Sequence, residues 1–332
     1  MALELNVSVK EEFLNRSVVP VKYLRSEADT LIFLIFSVLL AFVIVFGNII
    51  IIAAFKQHRK LRRRSNMFLI SLACSDCLVG IVSLPLWICI SGLGVGKGEV
   101  LYAFFISFDI FSALTSVFHL TAVSVERYIS VSRPFLYNRL SMLYYTGTIA
   151  TAWTVAALIA TLSPLQGLFK LQRFSAPIFF TIGFLAPLTV ISTMYTGIFR
   201  VALSLGRQTP GITANNISCK EKRQLKNEIK VAMTLTLVSG LFFLAWMPFY
   251  VLLLTAVYCP HCLPGYPGLQ RLVDFVKWMH YSNSAINPFV YALRDPEVKR
   301  EFVQLTQIKR FSSRLSQSRS RADQSSNKIQ FV

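Results

Sequence analysis

Apolar residues along the chain gather into seven long runs separated by short polar linkers. The runs lie at roughly 30–55, 66–92, 101–131, 144–165, 175–203, 229–258 and 268–293. A helix needs about 20 mainly apolar residues to cross a hydrocarbon core, and each run meets that length. The seventh, interrupted by Lys277, His280 and Asn287, is the weakest by hydropathy. The pattern predicts an all-α integral membrane protein, a seven-transmembrane helix bundle over residues 30–293. Residues 1–29 read as a polar N-terminal tail without the basic start and short apolar core of a cleaved signal peptide. Residues 294–306 alternate charge with Phe302, Val303 and Leu305, which predicts a short amphipathic helix on the lipid surface. Residues 307–332, rich in Ser and Arg, are expected to be a disordered tail.

Composition supports lipid as the solvent. Of the 332 residues 54% are hydrophobic and 15% charged, against about 25% charge in soluble domains. A net charge of +18 is the kind of balance that nucleic-acid binders carry. Here the basic residues sit in linkers between apolar runs, as membrane topology demands, so no nucleic-acid partner is expected. The first linker, Lys56 to Arg64, reads KQHRKLRRR; the third has Arg133 and Arg139; the fifth has Arg200, Arg207, Lys220, Lys222, Arg223 and Lys226. The even linkers hold only Lys97, then Lys170 and Arg173, then Arg271. Positive charge marks the cytoplasmic side, which puts the N-terminus outside and the C-terminus inside a multi-pass chain; its expected location is the plasma membrane. The sequons at Asn6 and Asn15 then fall in the extracellular tail, open to glycosylation, while Asn216 falls on the cytoplasmic side.

Six cysteines are too few for a disulfide scaffold. Cys74, Cys77 and Cys89 lie inside apolar runs and read as packing residues. Cys259-Pro-His-Cys262 stands between two runs with only His261 and the distant His280 as further soft ligands. Zinc is disfavoured, and a disulfide between Cys259 and Cys262 in an extracellular loop is expected.

Ionisable residues inside a span are costly and mark function. Those that call for explanation are Asp76, Asp109, Glu126, Arg127 and Lys277. Asp109 and Arg127 stand 18 residues apart on one run, or roughly 27 Å at the helical rise, close to one hydrocarbon thickness. A site at each face of the membrane follows.

These residues sit within motifs, about one per run. They are Gly47-Asn48; Ser71-Leu-Ala-Cys-Ser-Asp76; Glu126-Arg127-Tyr128; Trp153; Pro187 with Tyr195; Trp246-Met-Pro248; and Asn283-Ser-Ala-Ile-Asn287-Pro288-Phe-Val-Tyr291. In that order and spacing, over about residues 30–306, the chain resembles a class A (rhodopsin-like) G-protein-coupled receptor. The resemblance implies a receptor rather than an enzyme, with a heterotrimeric G protein as partner. It implies that Glu126 holds Arg127 in the resting state and that Glu228 pairs with the same arginine from another helix. Tyr195 and Tyr291 match tyrosines that swing inward on activation, beside Asn287 and Pro288. Pro187, Val117 and Phe242 match the connector beneath the ligand pocket. Asp76, Ser116, Asn283, Ser284 and Asn287 match an internal sodium site, so an allosteric sodium ion is implied and no other cofactor.

For the ligand, the motifs resemble those of biogenic-amine receptors. Asp109 matches the carboxylate that pairs with a protonated amine, and Trp278 and Tyr281 match its aromatic partners. Trp246, Phe249 and Tyr250 add walls. Cation–π contacts of this kind are worth about 2 kcal/mol or more when desolvated. Several residues depart from that pattern. Lys277, one turn outward of Tyr281, is placed to pair with Asp109 and take the amine's position, unless the ligand is zwitterionic or displaces it. Phe179 and Gly183 replace hydroxyl residues that catechol recognition uses. Tyr102 stands where the family has a cysteine, and the second extracellular loop, about Leu165 to Phe174, has none, so the usual disulfide is missing. Alternatives within the family are an adenosine-like nucleoside receptor, an orphan receptor, or an opsin, which would need a lysine at Tyr281. The rival class is an ion or proton transporter, which inverted repeats or broken helices would signal; the sequence shows neither. Serines of the tail, from Ser312 to Ser326, are candidate sites for receptor kinases and arrestin.

Overall fold

A computed structural model describes residues 26–57, 64–92, 99–168, 171–207 and 219–294, within which no strand occurs. Seven long helices dominate. They are α1 (Glu27–Gln57), α2 (Met67–Gly92), α3 (Glu99–Ser132), α4 (Met142–Leu168), α5 (Gln172–Phe180 continuing through Ala186–Arg207), α6 (Cys219–Tyr258) and α7 (Gly268–Arg294). Short turns at Arg64–Asn66, Pro134–Arg139 and Pro260–Cys262 sit in the linkers. The boundaries agree with the seven expected runs to within a turn or so at most ends. The expectation for α6 began ten residues late, because its first turns, from Cys219, are polar.

Local chemistry sets several ends. The Ser26 hydroxyl accepts the Asp29 N–H at 3.1 Å, capping α1, and Glu27 and Asp29 place negative charge on its first turn. Ser141 caps α4 in the same way through the Tyr144 N–H. In a bilayer every backbone group must be satisfied within the segment, and side-chain hydroxyls obey the same rule. Thr151 and Thr154 on α4 donate to the carbonyls of Gly147 and Ala150, and Thr196 on α5 to Ser192, each at 2.7–2.8 Å. Hydroxyls on outward faces are thereby neutralised without water.

Three π-helical turns interrupt α2 and α5, at Val79–Ser83, Ile88–Gly92 and Thr181–Leu185. Two of them abut prolines. Pro85 and Pro187 lack the N–H that Ile81 and Gly183 would otherwise receive, and widening the turn re-registers the ladder around the gap.

Outward faces are apolar. On α1, Leu31, Ile32, Ile35, Val38, Leu39 and Phe42 are each more than half exposed. A continuous apolar surface of this kind is unsustainable in water and is what lipid solvates. Six helices among the described residues are long and apolar enough to cross a membrane. The seventh, α7, falls short because it carries its polar residues inward: Gln270, Asp274, Lys277, His280, Asn283, Ser284 and Asn287 are all buried. This reproduces the weak seventh run of the sequence and gives its reason.

Helix α3 is central, packing on α2, α4, α5 and α6, while α1 closes the ring between α2 and α7. Asn48 of α1 donates to its own Ile44 carbonyl at 2.9 Å and to the Ser284 carbonyl of α7 at 3.0 Å. That approach depends on Gly47, where an added Cβ would stand 2.9 Å from Pro288 Cγ. Gly47→Val is expected to push α1 from α7 and destabilise the bundle by roughly 1–3 kcal/mol. A melting temperature in detergent equal to wild type would contradict this packing role.

Candidate functional site

Toward one end of the bundle a buried ion pair joins α3 to α7. Lys277 Nζ donates to Asp109 Oδ2 at 2.5 Å, and the Tyr281 hydroxyl donates to Asp109 Oδ1 at 3.0 Å. Asp109 and Lys277 are 5% and 8% exposed. Both carboxylate oxygens are therefore engaged by α7, one by a cation and one by a phenol. The ammonium sits among four rings, 5.3–5.6 Å from the centroids of Trp87, Phe105, Phe249 and Tyr281. Phe105 precedes Asp109 by one helical turn, so both face the same side of α3.

Beneath this cage lies a stack of rings. His280 packs on Trp246 with centroids 4.1 Å apart and on Tyr281 at 5.0 Å. Trp246 in turn stacks on Phe242 at 5.4 Å and on Tyr250 at 5.9 Å. Trp246 Nε1 and His280 Nδ1 are buried and have no hydrogen-bond partner. The Tyr250 ring reaches to α5, where its hydroxyl occupies the space that a Cβ on Gly183 would fill.

Trp278, expected among the rings around the amine, is placed elsewhere. Its Nε1 donates to Ser37 Oγ of α1 at 3.0 Å, and its ring packs on Phe36 and Phe33. One position along a helix rotates a side chain by about 100°, enough to turn Trp278 to α1 while Lys277 faces α3. Trp87 and Phe105, which the sequence did not single out, line the cage instead. The spacing of Phe105 to Asp109 carries that signal; for Trp87 only the packing of α2 against α3 does.

Midway along the bundle, Asp76 gathers a second polar cluster. Its Oδ1 accepts from the hydroxyls of Ser116 at 3.1 Å and Ser284 at 2.8 Å, and its Oδ2 from Asn287 Nδ2 at 2.7 Å. Ser75 joins through Ser116 at 3.1 Å. Asn283 is buried one turn earlier on α7, and its side chain is not a partner in these bonds. Asn48 borders the cluster through the Ser284 carbonyl, with its own Oδ1 buried and unpartnered.

At the opposite end, Arg127 Nε lies 2.9 Å from Glu126 Oε2, both buried. The Tyr195 hydroxyl accepts from Ser124 Oγ at 3.2 Å and lies 3.4 Å from Ser239 Oγ, which ties α3, α5 and α6 together. Neither serine was a candidate from sequence. Tyr128 packs so closely on Gly197 of α5 that an added Cβ would stand 2.5 Å from its ring. Val117, Phe242, Trp246, Tyr250, Ile191, Tyr195 and Tyr291 belong to one continuous apolar cluster running from the ring stack to this end, with buried Pro187 on α5. The side chain of Glu228 lies outside the described residues, as do Asn6, Asn15, the tail serines and residues 295–332. Cys259 and Cys262 are joined as a disulfide in the α6–α7 linker.

The family model for 7 transmembrane receptors of the rhodopsin family matches residues 47–291. The chain belongs to that family, a family of receptors rather than enzymes. Among curated proteins it is 31% identical to a D(1)-like dopamine receptor of Oreochromis mossambicus, over 74% of this chain and 71% of that one. It is 30% identical to trace amine-associated receptor 7e of Rattus norvegicus, over 79% and 77%. The D(1B) dopamine receptor of Xenopus laevis is 29% identical over 76% of this chain, which spans 65% of that protein's length.

Proposed function

We propose that the protein is a plasma-membrane receptor that binds a small molecule bearing a protonated amine and activates a heterotrimeric G protein. The observation that carries this is Asp109: a carboxylate buried at one end of α3, already paired with an ammonium inside a cage of four rings. A site that holds a lysine head in this way has the chemistry to hold an amine. The relatives named for dopamine and trace amines support the same reading. A neutral nucleoside would leave the Lys277–Asp109 pair intact and make no use of its charges. The Asp109 end faces outward and the Arg127 end inward, in keeping with the basic odd-numbered linkers.

Ligand entry acts on the ring stack directly below. Trp246, Phe242 and Pro187 pass a change of packing to Tyr195, Tyr291, Asn287 and Pro288, and Arg127 leaves Glu126 to meet the G protein. Two packings of comparable free energy are all that such a switch requires. The tail serines are sites for receptor kinases and arrestin.

The test is a screen of amines and nucleosides against cells expressing wild type and Asp109→Asn. An amine response is expected in wild type and a loss of potency of at least roughly 100-fold in the variant, as for removal of a buried charged partner. Unaltered amine potency in the variant would remove Asp109 from the site.

Asp76 suits a sodium ion. A hard cation takes oxygen ligands, and the carboxylate with the Ser116 and Ser284 hydroxyls offers three on facing helices. Asn283 and Asn287 stand beside them on α7. Sodium held here is a positive charge that fixes the resting packing. Raising sodium is therefore expected to lower agonist affinity several-fold in wild-type membranes and to have no effect in Asp76→Asn. A persisting sodium effect in that variant would place the ion elsewhere.

A further inference from the structure

We propose that the Lys277–Asp109 pair is a recognition element for a zwitterionic ligand, an amino acid whose ammonium and carboxylate replace the two halves of the internal pair. This deepens the reading of Asp109 as an amine counterion and rests on it.

The argument begins with charge. Asp109 and Lys277 are in direct contact, each more than nine-tenths buried. Their sum is zero. A plain monoamine that takes Asp109 must separate Lys277 from its counterion and leave a second cation in the same cage. Ring faces attract a cation but do not neutralise it, and a buried charge stripped of its partner is strongly destabilising. A zwitterion avoids this. Its ammonium pairs with Asp109 and its carboxylate with Lys277, so each charge has an opposite neighbour before and after binding.

Geometry agrees. Tyr281 holds Asp109 Oδ1 independently of the lysine, so the carboxylate keeps its orientation when Oδ2 is released to the ligand. Lys277 is a point charge on a flexible four-carbon stem, able to withdraw by the length of a ligand's charged end. Trp87 is one of the cage rings, 5.6 Å from Nζ, and its Nε1 is buried without a hydrogen-bond partner. An orphaned N–H is a donor, which a carboxylate can satisfy and an ammonium cannot. A spacer of one or two carbons between the ligand's charges matches a pair now in contact.

The experiment compares amino acids with their decarboxylated counterparts: tyrosine with tyramine, phenylalanine with phenethylamine, tryptophan with tryptamine, and leucine with isoamylamine. Binding is read as thermal stabilisation of detergent-solubilised full-length receptor, which needs no G protein. In at least one pair the wild type is expected to bind the amino acid at concentrations roughly tenfold or more below the amine. Lys277→Met, which deletes the carboxylate's partner and frees Asp109, is expected to reverse that order. Lys277→Gln serves as a polar replacement should the methionine variant not fold, and the wild-type ranking stands without either.

Preference for the amine in every pair, unchanged by the lysine variants, overturns the zwitterion and leaves the amine receptor intact. The zwitterion is equally overturned if wild type binds neither member while a lysine variant binds the amine; Lys277 is then a built-in occupant of the site. Binding of no member to any of these receptors overturns both readings.

Discussion

Asp109→Asn lowers the stability of the empty receptor by about 3–5 kcal/mol, the expected result of leaving one member of a buried ion pair without its partner. Lys277 is 8% exposed and is ringed by Trp87, Phe105, Phe249 and Tyr281. Without the carboxylate its ammonium loses its charged partner at 2.5 Å and keeps the ring faces. The double variant Asp109→Asn, Lys277→Met removes both charges and is expected to recover most of the loss, since a buried pair replaced by groups of similar volume is often neutral in its effect. The measurement is thermal melting of the solubilised receptor for wild type, each single variant and the double. Single variants that melt with wild type, or a double no better than either, would mean that the pair is not coupled as its 2.5 Å contact indicates.

The second large effect lies at the other end of α3. Glu126→Gln is expected to raise ligand-independent nucleotide exchange on the G protein roughly five- to tenfold, within the usual range of coupling free energies. Arg127 lies 2.9 Å from Glu126 in a buried setting. Neutralising the acid weakens the state in which the arginine is held and shifts the two-state balance toward the packing that releases it. Arg127→Ala is expected to abolish exchange with or without ligand. Basal exchange in membranes, at matched surface expression, separates these outcomes. An unchanged basal rate in Glu126→Gln would remove that contact as the resting latch.

Much of this is legible in the amino-acid sequence. Seven runs of adequate length carry the fold, because lipid leaves so few ways to satisfy a backbone that length and hydropathy suffice. The pairing of Lys277 with Asp109 follows from one helical turn's offset to Tyr281. What the chain does not disclose depends on how helices rotate against one another. Trp278 turns to Ser37 and Phe36 because α1 lies on that side of α7, a neighbour relation that no periodicity encodes. Trp87 enters the cage along α2, whose two π-helical turns bracket it and alter the direction of its face. Ser124 and Ser239, which meet Tyr195, are ordinary small polar residues on apolar helices, and nothing in their spacing marks them.

The inward polarity of α7 bears on how the molecule is made. Charged residues toward the middle of a spanning helix carry an insertion penalty of about 2.5–3.5 kcal/mol each, and this helix buries Lys277, with Asp274 one turn before it. A ribosome delivers α3 long before α7, so the nascent six-helix chain holds Asp76 and Asp109 with their α7 partners still missing. In the folded bundle this helix supplies Lys277 to Asp109 and Ser284 and Asn287 to Asp76. Seating α7 therefore completes both carboxylate clusters at once, and a bundle without it leaves two buried acids lacking these donors.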